Sequence, residues 1–292
     1  MAKYQEAHAT PSSFLEFLRR FRRNTSAIVG GGLVLIVVLV AVFASQIAPY
    51  DPYEQDIYAA FQVPSRKHLM GTDEFGRDEF SRVAFGARTS LTVGLLVVVV
   101  GAGAGTVLGV VSGHFGGRVD AVIGRLFDVL MAFPGILLAM VVLTILGPSL
   151  FNALLALAIS SIPSFGRVAR GQVLSAKENE YVMAALASGC DAWRIMFVHI
   201  LPNIIAPILV MASLRVAGTI LQASTLSFLG LGAQPPTAEW GAMLSTGRDY
   251  MRYAPWLTTY PGLAIMVTVL GINLLGDGFR DILDPRLRGQ TG

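Results

Sequence analysis

Six apolar stretches, each long enough to cross a lipid bilayer as a helix, punctuate this chain: Ala27 to Ala48, Leu91 to Val111, Phe127 to Leu146, Leu150 to Val168, Ile204 to Leu229 and Trp256 to Leu275. The hydrocarbon core of a bilayer is ~30 Å thick, so a helix rising 1.5 Å per residue needs ~20 apolar residues to span it. The windows are apolar on every face and do not alternate, which favours helices over the strands of a barrel. The fold class expected is therefore all-α membrane, with six transmembrane helices. Composition agrees, because only 14% of the 292 residues are charged and mean hydropathy is +0.60, whereas soluble chains are about a quarter charged.

The first window follows a run of arginines, as a secretion signal does, yet it is longer than the usual apolar region of such a signal and no small-residue cleavage site follows it. A retained helix is expected. The single cysteine, Cys190, excludes an internal disulfide and a cysteine-based metal cluster. With the N-terminus inside, Lys and Arg are twice as numerous in the cytoplasmic segments as in the outer ones, so both termini are expected in the cytoplasm. A net charge of +3 says little about partners, and no nucleic acid is expected among them.

The chain divides into a cytoplasmic tail with an interfacial helix (1–26), a first span (27–48), an extracytoplasmic segment (49–90) and a five-helix core (91–292) that holds a cytoplasmic loop at 171–203. Within the tail, Ser13 to Arg23 reads as a helix lying on the lipid surface, Phe14, Phe17, Leu18 and Phe21 facing the membrane and the arginines facing water. Such a helix is either a simple anchor or an elbow bracing the bundle. In the second window Gly101, Gly105, Gly109 and Gly113 share one face, which predicts close approach to another helix, of this chain or of a partner. Pro134, Pro163, Pro207 and Pro261 sit within or beside later windows, where each permits a kink.

The loop at 171–203 carries the most information. Glu178 to Gly189 has helical periodicity, with a face of Tyr181, Ala184, Ala185 and Ser188 and a glycine where a helix would stop. A second helical stretch from Asp191 holds Trp193, Met196 and Phe197 and is expected to stop at Pro202. Two short helices joined at a glycine make a knuckle outside the membrane. Large apolar side chains there call for a protein partner.

The string AALASGCDAWRIMFVHILPN resembles the coupling loop of bacterial ABC importer permeases, with Gly189, Leu201 and Pro202 at matching positions. It departs from the family at Met183, where a glutamate is usual, and at His199, where isoleucine is usual. Three further strings, HLMGTDEFGRDEFSRVAFGARTSL, LSFLGLGAQPPTAEWGAML and LLGDGFRDILDPRLR, resemble the dipeptide, oligopeptide, glutathione and nickel branch of that family. The resemblance implies a type I ABC importer permease in the bacterial inner membrane. It also implies partners: a homologous second permease, two cytoplasmic ATPase subunits and an extracytoplasmic solute-binding protein. Tyr181, Ala184, Ala185, Gly189, Asp191 and Trp193 are then the surface that docks on an ATPase. No Gly-Lys pair exists in the chain, so it has no loop of the kind that cradles nucleotide phosphates. ATP and Mg are expected on the ATPase subunits and no cofactor on this chain.

Arg215 lies about twelve residues into the fifth window, roughly at mid-membrane at 1.5 Å per residue. A charge there faces a cavity or a partner, and two readings stay open: Arg215 lines a translocation path, or it caps carbonyls freed at a kink. Outside the membrane, Asp73, Arg77, Asp78, Arg82 and Arg88 either dock a binding protein or form a network of their own. Di- and oligopeptides are the expected solutes, with nickel chelates or glutathione as alternatives. A stand-alone secondary transporter would want carboxylates at mid-span, and none is there. An embedded enzyme would want reactive groups beside His68, His114 or His199, and none lies at suitable spacing.

Overall fold

The computed structural model describes residues 24–283 together with Phe21 and Arg22. Apart from those two residues, the interfacial helix expected at Ser13 to Arg23 lies outside the described residues, as does the C-terminal string beyond Leu283. Helices make up the architecture. Helix α1 (Thr25–Val42) starts on an Asn24 cap whose side chain accepts from the Ala27 N–H, and it breaks at Phe43 before a short α2 (Ala44–Ile47). An irregular segment then leads to α3 (Glu79–Phe115), followed by α4 (Gly117–Met131), α5 (Gly135–Leu146) and α6 (Leu150–Ala176). Beyond these lie the short α7 (Glu180–Ala187), the long α8 (Ala192–Phe228), the short α9 (Trp240–Arg248) and α10 (Trp256–Leu283).

Five of the six windows lie on helices long and apolar enough to cross a membrane. The third differs. Its window, Phe127 to Leu146, is broken between α4 and α5, which are bent by 89°. Pro134 supplies the reason: it has no N–H to donate and disfavours helical geometry at Phe133, so the helix ends before it and restarts after it. Only α4 and α5 together make a sixth crossing. Pro163, Pro207 and Pro261 instead lie inside continuous helices.

The glycine face of α3 packs on α6 of the same chain. A Cβ on Gly105 would stand 2.5 Å from the Ile162 carbonyl oxygen, and one on Gly113 would stand 2.9 Å from Val173 Cβ. Close backbone approach is what the four-residue spacing makes room for. Two glycines, Gly116 and Gly117, both at positive φ, turn the chain from α3 into α4. Two carboxylates then clip α4 to α6: Asp120 takes Arg170 Nη2 at 2.6 Å, and Asp128 takes Arg167 Nη2 at 2.6 Å.

The described chain begins and ends at one end of the bundle, where Asn24 Nδ2 donates to Asp281 at 3.2 Å. The 171–203 loop lies at that same end, tied down by Lys177 Nζ donating to the His114 carbonyl at 2.8 Å. At the other end sits a cap built from residues 50–82 and the segment around α9.

Candidate functional site

The knuckle is built from its ends inward. Helix α7 closes on Gly189 at φ +77, where the Gly189 N–H donates to Leu186 and the Cys190 N–H reaches back to Ala185. This pair of bonds satisfies the last carbonyls of α7 and needs a left-handed residue at its centre, which glycine supplies without strain. Asp191 then takes the N-cap position of α8, but its carboxylate makes no capping bond and stays exposed. The second helical stretch does not stop at Pro202, contrary to the sequence expectation. It passes through a π-helical stretch, Ile195–Ile200, into a 37-residue helix. The Leu201 N–H bonds to Met196, five residues back, and the wider turn lets the proline enter as the first turn of the spanning segment.

Five of the six residues predicted for docking lie together on the open surface: Tyr181, Ala184, Gly189, Asp191 and Trp193. Trp193 is 64% exposed and stacks on Phe197 with ring centroids 5.1 Å apart. Ala185 does not join them. It is 7% exposed and faces inward with Val182, packing on Ile195, Met196 and Val173, because the inner face of so short a helix must cover the roots of α6 and α8. Two apolar residues that sequence reasoning left off the surface stand on it, Met183 at 59% and Leu186 at 52% exposed. Their positions beside Ala184 on the outward face are the signal that identifies them. Met183 therefore presents an apolar side chain where the resemblance leads to an expected glutamate.

The second predicted site, Arg215, opens on a cavity of about 210 Å³ between α3, the α4–α5 break, α6 and α8. Ser160, Ser161, Ser164, Thr219 and Gln222 line it with Arg215, and Met131 and Phe133 at the break form one wall. Arg215 makes no ion pair and no side-chain hydrogen bond among the described residues, and its freed-carbonyl reading finds no such bond. The serines at positions 160, 161 and 164 are a polar cluster midway along the fourth window, and that is the signal for them in the sequence.

The outer charges form a network of their own. Asp73 holds Arg77 Nε at 2.6 Å and Arg82 Nε at 3.5 Å, and Arg77 also reaches Glu74 at 3.3 Å. Asp78 pairs with His68 Nδ1 at 2.9 Å and caps α3 by accepting from the Ser81 N–H at 2.8 Å. Arg82 additionally donates to the Pro52 carbonyl at 3.1 Å. All of these charges except Glu74 are buried. Arg88, by contrast, is exposed and donates to the last carbonyls of α1, Ala41 and Val42. Burial takes Glu74 above the usual carboxylate range, and the neighbouring Asp73 charge adds to the rise. The second outer string has an equally structural role: Glu239, buried, caps α9 at the Ala242 N–H and accepts from Ser90 of α3 at 3.2 Å.

Compared with known proteins, residues 105–289 match the family described as the binding-protein-dependent transport system inner membrane component. The chain belongs to that family. Residues 12–64 also match the N-terminal membrane domain of oligopeptide transport permease C. The chain is 45% identical to a dipeptide transport system permease protein of Alkalihalophilus pseudofirmus, over 97% of this chain and 93% of that one. It is 46% identical to a glutathione transport system permease protein of Pectobacterium atrosepticum, over 94% and 91%. A di/tripeptide transport system permease protein of Pseudomonas aeruginosa is 44% identical over 96% and 95%. This protein is thus a multi-pass inner-membrane permease of the ABC importer class.

Proposed function

We propose that this chain is one permease half of an ATP-driven importer of di- and oligopeptides, pairing with a homologous permease in the lipid bilayer. Two ATPase subunits, carrying the ATP and Mg, dock on the knuckle, and an extracytoplasmic binding protein delivers the solute to the opposite end. The two ends of the described chain, sharing the knuckle's end of the bundle, lie on the cytoplasmic side. The exposed group of Tyr181, Met183, Leu186 and Trp193 carries this reading. It is an apolar patch outside the spanning part of the bundle, and water is poor company for it. Closure of the ATPases on ATP pulls the knuckle and shifts the bundle between inward-open and outward-open states, a drive that requires the ATPases to bind the two states with different affinity. Arg215 lines the path that this shift exposes. Glutathione is the second solute reading, since a relative of that printed function matches as well as the peptide permeases do.

The test is reconstitution. The four-subunit assembly with its binding protein, in proteoliposomes loaded with ATP, takes up a labelled dipeptide, and the chain alone takes up none. Uptake by the chain alone on an ion gradient would sink the proposal in favour of a secondary transporter.

A further inference from the structure

We infer that the Arg215 cavity is a subsite for a carboxylate of the transported solute, which rests on the reading above that the cavity belongs to the path. Its lining is electrically one-sided: Arg215 is its cation, and no Asp or Glu lines it. A guanidinium at this depth, without an ion pair among the described residues, is costly in a bilayer unless an anion or water meets it. Carboxylates are the anions that match its fork of N–H donors.

The hydroxyls supply the other half of the match. Ser160 and Ser161 donate to the carbonyls of Leu157 and Ala158, each at 2.8 Å, and Thr219 donates to that of Arg215 at 2.9 Å. Their protons are engaged with backbone, so each oxygen turns only lone pairs to the cavity. One cation beside several acceptors suits a carboxylate followed by amide N–H groups, which is the end of a peptide. A cavity of about 210 Å³ is smaller than the ~300–1,000 Å³ that encloses a whole drug-sized ligand, so it takes an end and not the entire solute. Arg215 also borders a second depression that it shares with Arg280, toward the end of the bundle where the knuckle lies. The two cations in series give a carboxylate a second foothold on its way out of the cavity.

The experiment compares uptake of a dipeptide and its C-terminal amide by the full assembly carrying wild-type chain, Arg215→Gln or Arg215→Lys. The binding protein is the same throughout, so its own preference cancels when the acid-to-amide ratio of each variant is divided by that of wild type. Arg215→Gln is expected to lower that ratio at least tenfold, and Arg215→Lys, which keeps the charge, to hold it within about threefold. An equal loss of both solutes in Arg215→Gln overturns carboxylate recognition while leaving Arg215 on the path. Unchanged uptake of both overturns the path reading as well. If Arg215→Gln fails to assemble, Arg215→Lys and Ser164→Asp, which places a competing carboxylate in the cavity, decide the matter. The ratio must then fall in Ser164→Asp and hold in Arg215→Lys, and a ratio unmoved by Ser164→Asp overturns the inference.

Discussion

At one end of the bundle Asp73, Arg77 and Arg82 are buried and satisfy their charges on one another, with Asp78 paired to His68; at the other end Tyr181, Met183 and Asp191 face outward, and Trp193 is exposed beside Phe197, on which it stacks. The cap hides its charges and the knuckle displays its side chains. A buried charge without its partner is expensive, so the cap's arginines lie against Asp73 within the chain, although Glu79 Oε1 and His68 Nε2 stay buried without a hydrogen bond among the described residues. The knuckle displays exposed apolar area and charges unpaired among the described residues, Glu180 and Asp191 included, and it folds because its hidden face, Val182 and Ala185, is covered by α6 and α8.

The contrast can be broken by mutation. Arg82→Ala leaves the Asp73 and Arg77 charges buried in an incomplete network, and it is expected to destabilise the protein by about 3–5 kcal/mol, read as thermal unfolding in detergent. Trp193→Glu is expected to leave that unfolding within about 0.5 kcal/mol while lowering ATPase capture at least tenfold. If the two variants exchange these phenotypes, cap and knuckle have been assigned the wrong way round. Within the knuckle, Ala185→Leu overfills a packed site and costs about 1–3 kcal/mol, whereas Ala184→Leu one residue earlier leaves stability unchanged; equal effects would remove the distinction between its hidden and open faces. The smallest effect is a pH dependence at the cap. Burial raises the Glu74 pKa in the fold above 4.5, so the folded state binds the proton more tightly than the unfolded one. The stabilisation this gives is full at low pH and is lost as pH rises through the raised pKa. Glu74→Gln is expected to flatten that decline in the unfolding temperature.

Much of the fold was legible because lipid imposes one dominant demand: the apolar windows found five continuous spans, and the four-residue glycine spacing marked the packing face of α3 without saying that α6 would meet it. The broken third span was harder to read. Hydropathy over Phe127 to Leu146 is blind to the missing N–H of Pro134, while the same residue type at 163, 207 and 261 leaves its helix whole. The end placed at Pro202 failed because the chain runs through a π-helical stretch directly into the spanning helix, whose first turn holds the proline. The knuckle was legible as an exposed aromatic loop, but placing Ala185 on its hidden face was beyond periodicity alone. Neighbouring alanines look alike until the helix they will lean on is known. Nor could the charges of the cap be divided between docking and self-pairing before their mutual distances were visible.

Trp193 and Arg215 stand on one helix, 22 positions apart, or about 33 Å at 1.5 Å per residue. The π stretch and Pro207 lie between them, two soft joints in an otherwise stiff lever. A few degrees of tilt imposed on the tryptophan end therefore swing the guanidinium by ångströms. The amplitude that arrives is set by how far those joints flex, so stiffening either one would change the gearing of the machine without touching its handle or its load.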